Sequence, residues 1–413
     1  MSDKKTIAVI GGGAAGMTAA IAAARQAQAA GSTLRIRIFE SNAQPGKKLL
    51  ATGNGRCNLS NLRIDEDCYH GSLALFHTVY TGFDREKTLK FFASVGVRIS
   101  PDGAGRLYPC SRQAKTVADA LVAACSHYGA EFLCQTPVDK LERLSDGFLI
   151  NGCESADAVI FACGGAAAPK FGTNGGAFGL LQPFGIAVTP LLPSLSPIEI
   201  RAFPKDLKGI RAAGKLRLYQ GTRFISESEG EIQYTEYGLS GIPAMEISGD
   251  AAEIADGSAS VSVDSMPELS FSDLHRELRY SVSSSPWLTA AGFLGGYLPQ
   301  KLGERLLATA GVPAGKALDA LTKTEADSMI KAAKAANYRV LRVRGFPFAQ
   351  TTRGGVAAAE LVPGTLMLKK LPGAYIAGEM ADIDGRCGGY NLQWAWSSGY
   401  TAGKAAAERC LGH

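Results

Sequence analysis

Thr6 to Ile10 is an unbroken run of mostly apolar residues that ends on Gly11-Gly12-Gly13, and the alanine-rich stretch Ala14 to Ala29 follows without a breaker. A short apolar run closed by glycine has strand length, and alanine is the strongest helix former, so the pair predicts a strand feeding a helix. Leu34 to Phe39 then alternates apolar and basic positions and ends on Glu40, which completes a β-α-β unit with parallel pairing. Helical periodicity returns over Arg85 to Val95 and Thr116 to Tyr128, and Ala158 to Cys163 reads as another buried strand, cut off by Gly164-Gly165. Prolines 190, 193, 197 and 204 mark a change of texture. After them Lys215 to Leu218, Arg223 to Ile225, Glu231 to Tyr234 and Ala259 to Val263 read as short strands. Leu274 to Ala336 is helical, with Thr324-Glu325-Ala326-Asp327 expected to open a helix. Strand patterning resumes over Tyr338 to Val343 and Ala374 to Ala377, and Leu392 to Arg409 is the last expected helix. The implied class is α/β: a discontinuous domain over 1–197 and 338–413, interrupted by a β-rich domain at 198–270 and a helical subdomain at 271–337.

Lys4-Lys5 ahead of the uncharged stretch Thr6 to Ala24 imitates a secretory signal. Glycine costs about 1 kcal/mol in a helix interior, so Gly11-Gly12-Gly13 in the middle of that stretch favours strand, turn and helix instead. A length of 413 residues suits two or three domains. The 49 glycines imply many turns and close backbone approaches. Net charge is +5, and no basic run exceeds the pairs Lys4-Lys5, Lys47-Lys48 and Lys369-Lys370, so neither nucleic acid nor a membrane is an expected partner. Nine scattered cysteines with no C-x-x-C pair argue against a disulfide framework and against a metal site, and favour a reducing cytoplasm. His70, His77, His127 and His275 lack metal-ligand spacing and are expected to be structural or surface residues.

Gly11, Gly13 and Gly16 supply the G-x-G-x-x-G spacing between a strand and a helix. The first glycine permits the tight turn, the second lets backbone approach a pyrophosphate, and the third packs helix on strand. With Ala14 and Ala15 they open a helix whose N-terminus faces a diphosphate. Glu40, at the end of the next strand, can accept both hydroxyls of an adenosine ribose and would repel a 2′-phosphate, which favours FAD or NAD over NADP in a Rossmann-like domain. The loop from Gly46 to Asn58 clusters Lys47, Lys48, Gly53, Asn54, Gly55, Arg56, Cys57 and Asn58. Such a loop suits either the edge of a planar polar heterocycle or plain solvation. Cys57, with no neighbouring thiol, is expected to pack rather than to react. Gly164 and Gly165 close one strand; Gly378, Glu379 and Asp382 follow another, and Gly388, Gly389, Tyr390 and Asn391 lead into the last helix. That order again aims backbone donors at a ligand. Trp394 and Trp396 read as core. Gly399 to Lys404 is one residue short of a P-loop, and Gly238 to Gly241 lacks nucleophile-elbow spacing.

Four blocks together resemble the BaiN/RdsA-type NAD(P)/FAD-dependent oxidoreductases, also described as aminoacetone-oxidase-family FAD-binding enzymes. They are Ile10 to Gly16 with Glu40; Gly46 to Leu50 through Gly55-Arg56-Cys57-Asn58; Tyr234 to Gly241; and Gly354-Gly355-Val356 with Gly378-Glu379 and Gly388 to Gln393. Two positions depart from that pattern: Ile242 precedes Pro243 after the Ser-Gly pair, and Arg353 stands where a small residue is usual. The resemblance implies bound FAD, a discontinuous flavin domain and an inserted domain over the flavin. It leads to the expectation of an isoalloxazine between the Asn54 to Asn58 loop and the Gly385 to Asn391 turn, with Asn54, Arg56, Cys57, Asn58, Tyr390 and Asn391 as catalytic candidates. Hydride would pass through flavin N5 between NAD(P)H, as a transient donor, and a small-molecule substrate. A non-catalytic flavin-binding redox sensor or assembly factor, an amine or aminoketone oxidase and an RNA-modifying flavoprotein are the alternatives, and substrate, donor and oligomeric state stay open.

Overall fold

The computed structural model describes residues 4–254 and 256–412. The chain falls into two compact units, one running to Leu192 and resuming at Gln350, the other spanning Pro193–Ala349. In the first unit, β1 (Thr6–Ile10) leads through a glycine turn into α1 (Ala14–Ala29), and β2 (Arg35–Phe39) returns parallel to β1. Further along come β3 (Arg106–Pro109), α2 (Ala114–His127), β4 (Glu131–Leu133), β5 (Ala158–Phe161), β6 (Ala374–Ile376) and the long α3 (Tyr390–Leu411). The main sheet has the order β6-β5-β1-β2-β4 with all neighbours parallel, and the hairpin of Leu361–Val362 and Met367–Leu368 extends it antiparallel at β6. Buried on both faces, β1 and β5 are continuous apolar runs with no alternation, as parallel strands covered on two sides require.

Helices α1 and α3 cover one face together, and their contact is backbone on backbone. A methyl group on Gly399 would lie 3.0 Å from Ala15 Cα, and one on Gly403 2.7 Å from Ala19 Cα. Trp394 and Trp396 are buried as expected, each with its indole satisfied: Trp394 Nε1 donates to Gly378 O and Trp396 Nε1 to Leu59 O, both at 2.9 Å. Helix α3 starts two residues before the expected Leu392, and α2 runs two residues ahead of Thr116 and stops at His127.

The second unit is built on a closed barrel in the order Ile198–Ile200, Gly238–Gly241, Arg223–Tyr234, Arg211–Gln220, Ala259–Asp264, Ala336–Val343. The expected short strands at 215–218, 223–225 and 231–234 are parts of one long hairpin. Its outer face carries Lys215, Arg217, Glu227 and Glu229 in cross-strand ion pairs, and those charges hide the strand pattern from an apolar scan. Tyr338 to Val343 closes the barrel against Ile198–Ile200, so this strand lies with the second unit and not with the returning part of the first. Pro243 sits in the first turn of the helix Ile242–Glu253, where a missing N–H is harmless. In the helical segment the start expected at Thr324 falls at Thr322, which forms a capping box with Glu325. Among the described residues no helix is long and apolar enough to cross a membrane.

Candidate functional site

The turn between β1 and α1 is held by contacts only glycine permits. Gly11 has φ +106° and donates to Phe39 O at 2.8 Å. A methyl group there would sit 2.8 Å from the Ala162 carbonyl carbon, and one on Gly16 would overlap the Gly11 carbonyl. Gly13 is different: it is the N-cap of α1, it supplies no side-chain cap, and nothing lies within 4 Å of the position a side chain would take. The first turn of α1, with Ala14, Ala15 and Gly16, carries no acid. Its free N–H groups and the helix dipole therefore face open space. Beside them Glu40, only 8% exposed, accepts from Gly12 N at 2.9 Å through Oε2, and from Asn42 N and Nδ2 at 2.8 and 2.7 Å through Oε1. Gly12, which the spacing rule leaves unspecified, thus fixes one oxygen of the acid, and Asn42, which no motif pointed to, fixes the other.

The glycines after β5 and β6 converge on the same end of the sheet. Gly378, with φ +67°, lies so near α1 that a methyl group would be 2.9 Å from Ala15 Cβ. Its N–H donates to Ser398 Oγ at 2.8 Å. Glu379 accepts from Lys48 Nζ at 2.7 Å and from Thr352 N at 2.9 Å. Thr352 Oγ1 in turn receives Ala166 N and Ala167 N at 2.8 and 3.0 Å, pinning the turn that Gly164 and Gly165 begin. Sequence reasoning found Lys48, Gly165 and Glu379 but missed Thr352 and Ser398, which join them only through tertiary contact. Lys47 lies outside this cluster, exposed, its Nζ 3.2 Å from Asn42 Oδ1. Asp382 contributes its N–H to Val356 O at 3.1 Å.

The third element is the loop before Asn58 together with the start of α3. Gly53, Asn54, Gly55 and Cys57 all have positive φ, which bends the loop tightly. Asn54 and Arg56 are exposed, whereas Cys57 is fully buried, and burial pushes its thiol up to about 12. Asn58 Oδ1 is buried without a hydrogen-bond partner. It faces Gly389, the N-cap of α3 with φ +101°, where a methyl group would lie 2.7 Å from both Asn58 Oδ1 and the Ser60 carbonyl carbon. Gly388 O accepts from Asn61 Nδ2 at 2.9 Å. Asn391 is committed to its own turn, donating to Gly385 O at 2.7 Å and accepting from Gly385 N at 2.8 Å. Tyr390 gives its carbonyl to Tyr69 Oη at 3.0 Å and meets that ring edge-on. Behind them Gln393, with no exposed surface, accepts from Ser60 Oγ at 2.6 Å and donates to Thr88 Oγ1 and Ser397 Oγ at 2.8 and 2.9 Å. The unusual Arg353 is buried and pairs with Asp384 at 3.3 Å. Of the catalytic candidates, Asn58 alone offers a buried open acceptor, while Cys57 packs in the core and Asn391 serves the backbone.

An unsatisfied buried acceptor costs about 1–3 kcal/mol unless a ligand supplies the donor. The open start of α1 suits a diphosphate, and Asn58 Oδ1 suits the N–H of a planar ring. Glu40 suits vicinal hydroxyls. These are the parts of an extended dinucleotide, and the residues present fit one. No group of His, Cys, Asp and Glu among the described residues could hold a metal ion.

The chain is 37% identical over 410 residues, covering 98% of it and 99% of the relative, to the 3-dehydro-bile acid delta(4,6)-reductase of Clostridium scindens. It is 27% identical over 403 residues, 95% of each chain, to the ribosomal RNA dihydrouridine synthase of Escherichia coli. Among solved structures, 3-ketosteroid delta1-dehydrogenase from Sterolibacterium denitrificans aligns with a TM-score of 0.52 over 98% of this chain and 100% of that one. At 13% identity that likeness speaks to fold alone. The expectation that nucleic acid plays no part draws no support from these relatives. The match to the HI0933-like protein Rossmann domain runs over residues 5–405, and the chain belongs to that family.

Proposed function

We propose that this protein is an FAD-dependent oxidoreductase that reduces an activated carbon–carbon double bond in a small organic substrate, with NAD(P)H as the transient donor. The observation that carries the reading is the carboxylate of Glu40 fixed against Gly12 N beside the open, uncapped start of α1. A carboxylate there binds a ribose, the helix start binds a diphosphate, and FMN has no second phosphate or adenosine to use them. Bound FAD supplies hydride transfer at flavin N5. The chain's own part is placement. Backbone N–H groups of Ala14, Ala15 and Gly16 hold the diphosphate; Gly13 leaves the space before them open, while Gly11, Gly164, Gly165 and Gly378 permit the close packing of the chain around it. Lys48 and Glu379 form an ion pair beside that cradle. Asn58 Oδ1 accepts from a ring N–H, and the Gly388-Gly389 turn brings the α3 dipole to the ring edge where negative charge collects on reduction. Along α3, Gly389 and Gly399 are ten residues apart, about 15 Å at 1.5 Å per residue. Gly399 touches α1, so the two helix starts are spaced for an extended ligand.

The substrate class rests on the two names above: a delta(4,6)-reductase and a dihydrouridine synthase both describe hydrogen added across a double bond. Uridine in ribosomal RNA is the second reading, favoured by the relatives at 27% identity. The test is to denature the purified protein, identify the released flavin, and then follow anaerobic bleaching by NADH or NADPH and reoxidation by a conjugated enone or an rRNA fragment. FAD release and enone-driven reoxidation are expected. FMN, or no flavin, overturns the cofactor; reoxidation by RNA alone, or by oxygen with an aminoketone as the reductant, moves the substrate. Glu40→Ala should weaken FAD retention by about 1–3 kcal/mol, roughly fivefold to 150-fold, measured by fluorescence titration of the apoprotein.

A further inference from the structure

Tyr108 lies in β3 with its side chain buried, and two guanidiniums sit over its ring. Arg56 Cζ is 5.3 Å from the ring centroid and Arg112 Cζ 4.8 Å. Each is steadied by a backbone carbonyl: Arg56 Nε donates to Gly53 O at 3.2 Å and Arg112 Nη2 to Pro101 O at 3.3 Å. Neither reaches a carboxylate among the described residues. Their neighbours behave otherwise, since Arg106 pairs with Asp102 at 2.8 Å and Lys115 with Asp119 at 2.7 Å. Arg112 also holds a left-handed backbone, φ +54°, which a non-glycine residue adopts at a cost. Two unneutralised cations gathered on one ring repel each other, and the aromatic face offsets only part of that repulsion. The planar forks keep their outer N–H groups free for a tetrahedral oxyanion.

We propose that Arg56 and Arg112, braced on Tyr108, form a clamp for a phosphomonoester dianion, and that its ligand is the 2′-phosphate of NADPH. A phosphomonoester concentrates close to two charges on one phosphorus at neutral pH, which matches two guanidiniums that share one aromatic ring, each about 5 Å from its centroid. An RNA backbone carries one charge per phosphate and asks for a stripe of unpaired cations, which Arg106 and Lys115, already neutralised, do not extend. The clamp is separate from Glu40, whose charge excludes a 2′-phosphate, so the chain would hold FAD at one place and select its donor at another. The choice of NADPH rests on the proposed reductase reading.

Arg112→Gly tests the clamp, because glycine suits the left-handed backbone while removing the guanidinium. Titration calorimetry on the FAD-loaded protein should show adenosine 2′,5′-bisphosphate binding roughly tenfold or more tighter than adenosine 5′-monophosphate, with the preference lost in the variant. In anaerobic flavin reduction, the half-saturating concentration of NADPH should rise about tenfold in the variant while that of NADH stays within about twofold. Equal binding of the two adenosine nucleotides by the wild type, or equal losses for NADPH and NADH, overturns the proposal. So does a variant that loses affinity for a short single-stranded RNA but not for the bisphosphate. Failure of both nicotinamide nucleotides to reduce the flavin would sink the reductase reading, and the calorimetric preference would still decide the clamp.

Discussion

Helices α1 and α3 begin alike and are built differently. Each has a glycine N-cap, Gly13 or Gly389, no side-chain cap and no acid in its first turn. The start of α1 is assembled largely from residues within one β-α-β unit: Gly11 on Phe39, Gly16 on Gly11, Gly12 on Glu40. The start of α3 leans on remote chain: Asn58, Ser60 and Asn61 across more than three hundred positions, and Tyr69 through its hydroxyl. A local helix start can stay open because its own loop holds it. A helix start fixed by distant segments is packed, and its freedom to accept a ligand narrows to single atoms such as Asn58 Oδ1.

Adding a methyl group at each N-cap breaks the likeness most sharply. Gly389→Ala places a side chain at φ +101° against the Ser60 carbonyl and Asn58, and we expect the apoprotein to lose about 2–4 kcal/mol, read by urea denaturation. Gly13→Ala meets open space at an ordinary φ of −84°, so the apoprotein should change by less than about 1 kcal/mol. FAD affinity should nevertheless fall in Gly13→Ala, because the methyl group enters the space a diphosphate needs. Equal destabilisation by the two substitutions would erase the distinction.

A smaller effect is expected at Gln393. Gln393→Leu keeps the volume but leaves Ser60 Oγ without an acceptor and Thr88 and Ser397 without a donor, all in the interior. Buried groups left unpaired cost about 1–3 kcal/mol, and we expect a loss near 2 kcal/mol together with a shift in the bound flavin's midpoint potential as the α3 turn relaxes. Glu40→Gln, at the α1 start, replaces one of the two oxygens that serve Gly12 N and Asn42 by an NH2 and should cost about 1 kcal/mol, less than Gln393→Leu because its donors lie in a partly exposed loop. If Gln393→Leu leaves both stability and potential unchanged, the remote network does not hold α3.

The same contrast explains what could be read from the sequence. Gly11 to Gly16 and Glu40 were legible because spacing along one strand-turn-helix fixes their geometry. Gly388 to Asn391 was found as a glycine-rich helix start, but Asn391's bond to Gly385 and Gln393's to Ser60 depend on how distant segments fold together. Thr352 gave no signal, since a threonine before Arg353 matches no motif, and it acts through the backbone of Ala166 and Ala167, 186 and 185 positions away in the chain. The parallel core was legible because β1 and β5 are uninterrupted apolar runs. Barrel closure was not, because the strands Ile198–Ile200 and Ala336–Val343 that seal it are 136 positions apart from end to start and pair only in three dimensions.

Asn58 sharpens the comparison from the ligand side. Asn58→Leu removes an acceptor that has no partner without ligand, so the apoprotein should gain up to about 1 kcal/mol in urea denaturation while FAD affinity drops by a similar amount. Opposite signs in the two measurements mark a residue kept for binding. A loss in both would make Asn58 an ordinary structural residue.

The smallest effect at neutral pH is expected at Cys57, two residues beyond the Gly55 bend. Burial raises its thiol to about 12, and Cys125 rises to about 12 for the same reason, whereas an unfolded cysteine ionises near 9. The folded state therefore keeps these protons after the unfolded chain has released them. Their contribution is complete below about pH 9 and is lost as pH climbs from there toward 12, at about 1.4 kcal/mol per thiol for each pH unit. Cys57→Ser should cost little at pH 7, since a hydroxyl fits the same space beside Thr52. Between pH 9 and 10.5 the wild type should lose stability more steeply than the variant, measured by urea denaturation at fixed ionic strength. Iodoacetamide at pH 8 should leave Cys57 unmodified in the native protein while labelling the exposed Cys110 and Cys153. Rapid labelling of Cys57 would mean that a thiolate is held in the loop after all, and the redox role set aside in favour of packing would have to be restored.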